Sequence, residues 1–157
     1  MDERFKVDGM EERDARAIVD KLAALDAVYR ELGQPVLDAL ARYEASRMET
    51  IWNRIGETEG RTVGDLLRVL WDGMGGESGF RFTSAVEPDD GVRMSCSYCP
   101  FAELARRFGY AEVGFAAYCA GDYGIVRGFN PVMGFERTKT LMEGHAECDH
   151  RYSLPSR

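Results

Sequence analysis

The chain has 157 residues, 45% hydrophobic and 30% charged, which is enough for one domain with a buried core and is not typical of a disordered protein. Its net charge of −7 argues against a nucleic-acid or anionic-membrane partner, because there is no basic surface to bind phosphates. No apolar run approaches the roughly 18 residues of a membrane helix, and the acidic N-terminus lacks the apolar core of a signal peptide. We therefore expect a cytoplasmic protein, in which the thiols stay reduced.

The first half of the chain has helical periodicity. Apolar residues recur at helical spacing over 11–32 and 35–55, and a glycine follows each stretch. Thr62 and Asp65 have the spacing of a capping box, which predicts a third, shorter helix that ends at Trp71 before a group of glycines.

The second half alternates between strand and helix patterns. Residues 79–87 and 92–99 alternate in polarity around the turn sequence "PDDG", which predicts a hairpin. The remaining predicted elements are two short helices closed by Gly109 and Gly121, a loop with "NP" at 130–131, and a second hairpin of 135–142 and 146–153 around "EGH".

This layout predicts an α+β fold, in which an antiparallel sheet of two hairpins packs with the N-terminal helices and two short inserted helices. We expect a single domain over 1–157, helical over 1–76, with the functional site in the mixed part over 77–157.

The stretch "SCSYCP" contains two of the four cysteines. Residues three apart in a strand point to opposite faces, so Cys96 and Cys99 should diverge. Cys96 alternates with Met94 and Tyr98 and is predicted to be a small core residue that points away from any site. Cys99 precedes Pro100 at a predicted helix N-terminus, where the helix dipole should lower its pKa.

The other two cysteines have polar neighbours. Asp122 follows Cys119 by three residues and would share its face if the helix continued. Cys148 and His150 are two apart in a predicted strand and should share a face. A thiolate near an imidazole can serve nucleophilic catalysis or bind a metal, or both residues can be structural.

The cysteine spacing does not decide between these uses. Two CxxC pairs would indicate zinc, whereas this chain has one pair followed by two single cysteines. The spacing permits a metal held by Cys99, Cys119 and Cys148 without indicating one, and we expect no cofactor otherwise.

The segments "CPFAELARRFG", "YCAGDYG" and "NPVMGFERTKTLMEGHAECD" together resemble the L-2-amino-thiazoline-4-carboxylic acid hydrolase family. The resemblance covers roughly residues 90–150 and implies hydrolytic opening of a cyclic isothiourea at C2. Family members usually carry an aromatic residue where this chain has His150. The spacing of a glycine and Cys148 near the C-terminus also resembles 4-vinyl reductase-like small-molecule-binding domains. The elements shared with the hydrolase family are Cys99-Pro100, Cys119 with Asp122, Asn130-Pro131, Thr140-Leu141, Gly144 and Cys148-Asp149.

Our first hypothesis is a hydrolase that acts on a C–N or C–S bond of a small cyclic molecule. Cys119, or second Cys148, would attack the carbon, and Asp122 or His150 would move the proton. Arg137 would bind a substrate carboxylate or, alternatively, form a cross-strand ion pair.

The resemblance adds Cys99 to the catalytic candidates and Asn130 to the substrate-binding ones. A second hypothesis is a non-enzymatic small-molecule or metal-binding domain in which the cysteines are ligands. A third is an interaction domain, in which the helices over 11–32 and 35–55 pack against a partner or form a homodimer.

Overall fold

The computed structural model describes residues 2–88 and 91–155, and it confirms the predicted α+β class. The predicted turn over 88–91 includes residues 89 and 90, which lie outside the described residues. The elements are α1 (Glu12–Leu32), α2 (Gln34–Glu59), α3 (Val63–Leu66, continued by a π-helical turn, Leu67–Trp71), β1 (Arg81–Val86), β2 (Val92–Tyr98), α4 (Pro100–Arg107), α5 (Ala111–Gly114, continued by a π-helical turn, Phe115–Cys119), α6 (Gly121–Phe129), β3 (Gly134–Glu136) and β4 (Cys148–Ser153), with 3-10 turns at Glu3–Phe5, Asp72–Met74 and Gly76–Ser78.

The three N-terminal helices form as predicted. Gly33 separates α1 from α2 with φ of 76°, a left-handed conformation that favours glycine. The capping box at the start of α3 is present, since the Thr62 hydroxyl accepts a hydrogen bond from the Asp65 N–H and the Asp65 carboxylate accepts one from the Thr62 N–H. Among the described residues, no helix combines the length and apolarity needed to cross a bilayer.

The four strands form one antiparallel sheet in the order β1-β2-β4-β3. The first predicted hairpin is β1 with β2. The second is wrong in its first half, because β3 ends at Glu136 and a long loop leads to β4. The Asp149 carboxylate accepts hydrogen bonds from the backbone N–H groups of Thr138 and Lys139, at 2.8 and 2.6 Å, so these groups bond to a side chain instead of to a neighbouring strand.

The second short helix ends at Cys119, just before Gly121 as predicted, but the chain does not then enter a loop. Gly121 begins α6, a helix that we had not predicted, and α6 packs along α2. A Cβ atom at Gly124 would lie 2.0 Å from the carbonyl oxygen of Ala45, and one at Gly128 would lie 2.3 Å from that of Glu49. The glycines of α6 therefore permit close helix packing.

Two clusters of buried residues form most of the core. One contains Trp52, Trp71, Phe129 and Tyr152 and joins the sheet to α2, α3 and α6. The other joins α1 and α2 to α4 and α5. Cys99 and Leu141 pack against both clusters, next to the cavity described below.

Candidate functional site

A cavity of about 220 Å³ lies between one face of the sheet and the helices, and its wall is mostly apolar. All four cysteines line it, together with the carboxylate of Asp122, the guanidinium of Arg137 and the imidazole of His150. The remaining lining residues are Leu70, Trp71, Met74, Phe80, Phe101, Tyr118, Ile125, Thr140, Met142 and Tyr152.

The cysteines come to this cavity from four elements. Cys96 and Cys148 are directly opposite each other on β2 and β4, Cys99 is the N-cap of α4, and Cys119 ends the π-helical turn after α5. The structure thus brings Cys99, Cys119 and Cys148 to one cavity. The prediction that Cys96 points elsewhere is wrong, because its register with Cys148 places both side chains on the same face of the sheet.

The thiols of Cys96 and Cys148 differ in acidity. The pKa of Cys148 is lowered, and the largest cause is the neighbouring Cys96 thiol. The Leu141 N–H, His150 and Arg137 also lower this pKa, and burial opposes them. The Leu141 N–H lies 3.2 Å from the Cys148 sulfur. The Cys148 thiol in turn raises the pKa of Cys96, as does burial. Cys148 is therefore the member of this pair that favours the thiolate.

The other two cavity thiols are held in the neutral form. Burial raises the pKa of Cys119 well above its usual value, and the charge of Asp122 adds to this effect. Burial also raises the pKa of Cys99 to about 11, although the N–H groups of Ala102 and Phe101 at the start of α4 oppose it. The prediction of a lowered pKa for Cys99 is wrong, because desolvation outweighs the helix N-terminus.

Asp122, Arg137 and His150 form a polar cluster in the cavity wall. Arg137 Nη1 donates to Asp122 Oδ2 and to the carbonyl oxygen of Cys119, the latter at 3.0 Å, while His150 Nε2 lies 3.2 Å from the same Asp122 oxygen. The Arg137 side chain is only 3% exposed. Arg137 follows β3 and pairs with α6, so it does not form the cross-strand ion pair considered as an alternative.

Aromatic side chains surround His150. The ring of Trp71 meets it edge-on at a centroid distance of 5.0 Å, and Phe135 and Tyr152 stack near it. His150 Nδ1 is buried without a hydrogen-bond partner in the described part of the chain. With Asp122 at Nε2, the ring is fixed in one orientation.

Trp71 and Tyr152 also line the cavity, and neither was among the residues predicted for the site. Trp71 Nε1 donates to the Tyr152 hydroxyl at 3.1 Å. Alternation along β4 places Tyr152 on the face of Cys148 and His150, and this signal could have identified Tyr152. Nothing in the local sequence of Trp71 indicates a contact with β4.

Asn130 is placed away from this wall. Its side chain donates to the carbonyl oxygen of Arg61 at 2.7 Å and accepts from the Val132 N–H at 3.1 Å, and it is not among the cavity-lining residues. These bonds order the loop after α6, so Asn130 has no part in the function proposed below.

Over residues 2–88 and 91–155, no three His, Cys, Asp or Glu side chains are arranged to hold a metal ion. The cysteines share a cavity but do not converge as a ligand set. The geometry therefore provides no support for a metal held by Cys99, Cys119 and Cys148.

Comparison with known proteins gives one match. The family model described as L-2-amino-thiazoline-4-carboxylic acid hydrolase matches residues 10–152. No curated protein and no solved structure matches the chain. The matched range includes every cavity residue named above, and we conclude that the chain belongs to the L-2-amino-thiazoline-4-carboxylic acid hydrolase family.

Proposed function

We propose that this protein hydrolyses a C–N or C–S bond of a small cyclic substrate of the 2-amino-thiazoline-4-carboxylate type, with Cys148 as the nucleophile. The observation that carries the proposal is the surroundings of the Cys148 sulfur, because the backbone N–H of Leu141 lies 3.2 Å from it and His150 and Arg137 line the same cavity, and all three groups favour the thiolate. Burial instead raises the pKa of Cys99 and Cys119. The thiolate is the reactive form of cysteine, so Cys148 is a better candidate for the nucleophile than Cys119.

The size and wall of the cavity support a small ring as the substrate. A volume of about 220 Å³ is below the usual range for drug-sized ligands and suits a compact molecule. Phe101 and Tyr118 provide flat apolar surfaces against which a ring can pack.

Arg137 is suited to bind the carboxylate of such a substrate. Both of its hydrogen bonds come from Nη1, which leaves Nε and Nη2 without a hydrogen-bond partner among the described residues. The bond to Asp122 fixes the guanidinium, so little side-chain entropy is lost when a carboxylate binds.

The reaction would proceed in two steps. The Cys148 sulfur forms a bond to the ring carbon between nitrogen and sulfur, one ring bond to that carbon breaks, and the departing atom takes a proton. Water then adds to the same carbon, and the bond to Cys148 breaks to restore the thiolate. His150, hydrogen-bonded to Asp122, would carry the proton in both steps.

The experiment incubates the purified protein with 2-amino-thiazoline-4-carboxylate and measures ring opening by mass spectrometry. We expect turnover in the wild type and its loss in Cys148→Ser, with the folded state checked by circular dichroism. Cys119→Ser is the matched control, since it also replaces a cavity sulfur by oxygen.

Turnover that survives in Cys148→Ser but is lost in Cys119→Ser would refute the assignment of the nucleophile. Saturable binding without ring opening, or a stoichiometric metal in the purified protein, would instead support the non-enzymatic binding domain.

A further inference from the structure

Cys96 takes no part in the reaction proposed above, yet it is the direct cross-strand neighbour of Cys148. Opposed residues in antiparallel strands have Cα atoms about 4.5 to 5.5 Å apart, within the range that a disulfide can bridge. The two side chains lie on the same face of the sheet and line the same cavity.

We propose that Cys96 and Cys148 are a reversible oxidative modification site, at which a hydroperoxide converts the two thiols into a disulfide across β2 and β4. The effect on activity rests on the proposed function, because the disulfide would remove the Cys148 nucleophile. The modification itself does not depend on that function.

The chemistry balances with hydrogen peroxide as the oxidant. The Cys148 thiolate attacks one peroxide oxygen, an S–O bond forms, the O–O bond breaks, and the hydroxide that leaves takes up the proton that the Cys148 thiol released to solvent on ionisation. The Cys96 thiol then attacks the Cys148 sulfur, the S–S bond forms, and the S–O bond breaks to release water with the Cys96 proton. Two thiols are oxidised, and one peroxide is reduced to two waters.

The two cysteines have complementary roles in this sequence. Cys148 favours the thiolate, the form that attacks a peroxide. Cys96 keeps its proton, with the Tyr98 carbonyl oxygen 3.2 Å from its sulfur, and it lies beside the sulfenic acid that would form. Solvent reaches only 3% of Cys96 and 9% of Cys148, so hydrogen peroxide would arrive through the cavity.

Cys99 and Cys119 are less suited to react with Cys148. Neither lies opposite Cys148 in the sheet: one caps α4, and the other ends a π-helical turn. The register of β2 and β4 holds Cys96 directly opposite Cys148, and no such pairing holds Cys99 or Cys119 there.

The test uses the full-length, reduced protein. It is treated with hydrogen peroxide, remaining thiols are blocked with iodoacetamide, and tryptic peptides are sequenced by mass spectrometry. The expected product joins peptide 94–106 to peptide 140–151 through Cys96 and Cys148, and dithiothreitol releases it. Because Cys99 lies in the first of these peptides, Cys99→Ser is the matched control and should retain the cross-link.

Cys96→Ser should lose the cross-link, and under the same peroxide its Cys148 should advance to the sulfinic acid, which dithiothreitol does not restore. If this variant does not fold, the peptide map of the wild type alone decides the proposal. A wild-type map with oxidised Cys148 and alkylated Cys96, or with Cys148 linked to Cys99 or Cys119, would overturn it.

A measurement of hydrolase turnover beside the peptide map distinguishes failure of this proposal from failure of the proposed function. A cross-link that forms in a protein without hydrolase activity would leave the modification site standing and refute the hydrolase. Full turnover after complete cross-linking would refute the loss of activity on oxidation and the role of Cys148 as nucleophile.

Discussion

Replacing Gly124 by alanine tests the close packing of α6 on α2. The added Cβ would lie 2.0 Å from the carbonyl oxygen of Ala45 and 2.8 Å from its carbonyl carbon, whereas ordinary van der Waals contacts of a Cβ lie at 3.4–4 Å. Both atoms belong to the α2 backbone, so no side-chain rotation relieves the contact. The helices must separate by about an ångström, and packed interiors resist such a shift.

The expected loss of stability follows from two opposing effects. Overpacking of a core costs about 1–3 kcal/mol, and a backbone partner places this site at the upper end. Alanine is favoured over glycine within a helix by about 1 kcal/mol, which offsets part of that cost. We therefore expect Gly124→Ala to lower the free energy of unfolding by about 2 kcal/mol, or the melting temperature by roughly 4–8 °C.

Urea unfolding followed by far-ultraviolet circular dichroism measures this change. Gly64→Ala is the matched control, because its Cβ would meet only the Thr62 hydroxyl at 3.7 Å, and it should be neutral or slightly stabilising. Equal stability of Gly124→Ala and Gly64→Ala would refute the argument. Because Asp122 lies on the same helix, the shift should also reduce turnover.

Three further predictions concern the site and its supporting loop. The rate at which iodoacetamide alkylates Cys148 should reach half its maximum below pH 9.0, the ordinary pKa of a thiol, and a midpoint at or above that value would contradict thiolate stabilisation. His150→Phe introduces the aromatic residue usual in the family and should retain the fold but lose turnover; activity within a few-fold of wild type would leave Asp122 as the proton carrier. The pKa of Asp149 is raised by burial but lowered more strongly by hydrogen bonds from Thr138 and Lys139, so it lies below the usual 3.8. The ionised carboxylate therefore stabilises the fold fully above pH 3.8, and this stabilisation is lost as the pH falls through the pKa of the folded state. The stability difference between wild type and Asp149→Asn, measured by urea unfolding across this range, should therefore shrink as the pH falls below 3.8, and a constant difference would show that the charge contributes nothing.

Features that depend on near neighbours could be predicted from the sequence. The capping box of Thr62 and Asp65 is complete within four residues, and it marks the start of α3 correctly. Alternation along β4 places Cys148 and His150 on one face, as the structure has them. In both cases, the residues that determine the geometry lie within the pattern itself.

Features that depend on distant partners could not be predicted. Residues 137–142 have the composition of a strand, but Asp149, more than ten positions along the chain from Thr138, binds their backbone instead. Gly121 has the local appearance of the start of a loop, yet it begins α6, and its Cβ would lie 3.1 Å from the Met48 side chain on α2. The acidity of Cys99 depends on burial by both core clusters, which no local pattern reports.

The two π-helical turns show why helical periodicity alone does not locate the site. Each brings two consecutive residues to the cavity wall, Leu70 with Trp71 and Tyr118 with Cys119. In a regular α-helix, consecutive side chains point about 100° apart, so a pattern with a period of 3.6 assigns them to different faces. A π-helical turn widens the helix locally, and such turns occur frequently at functional sites. Here one of them also leads directly into α6, which places Asp122 beside Arg137 and His150.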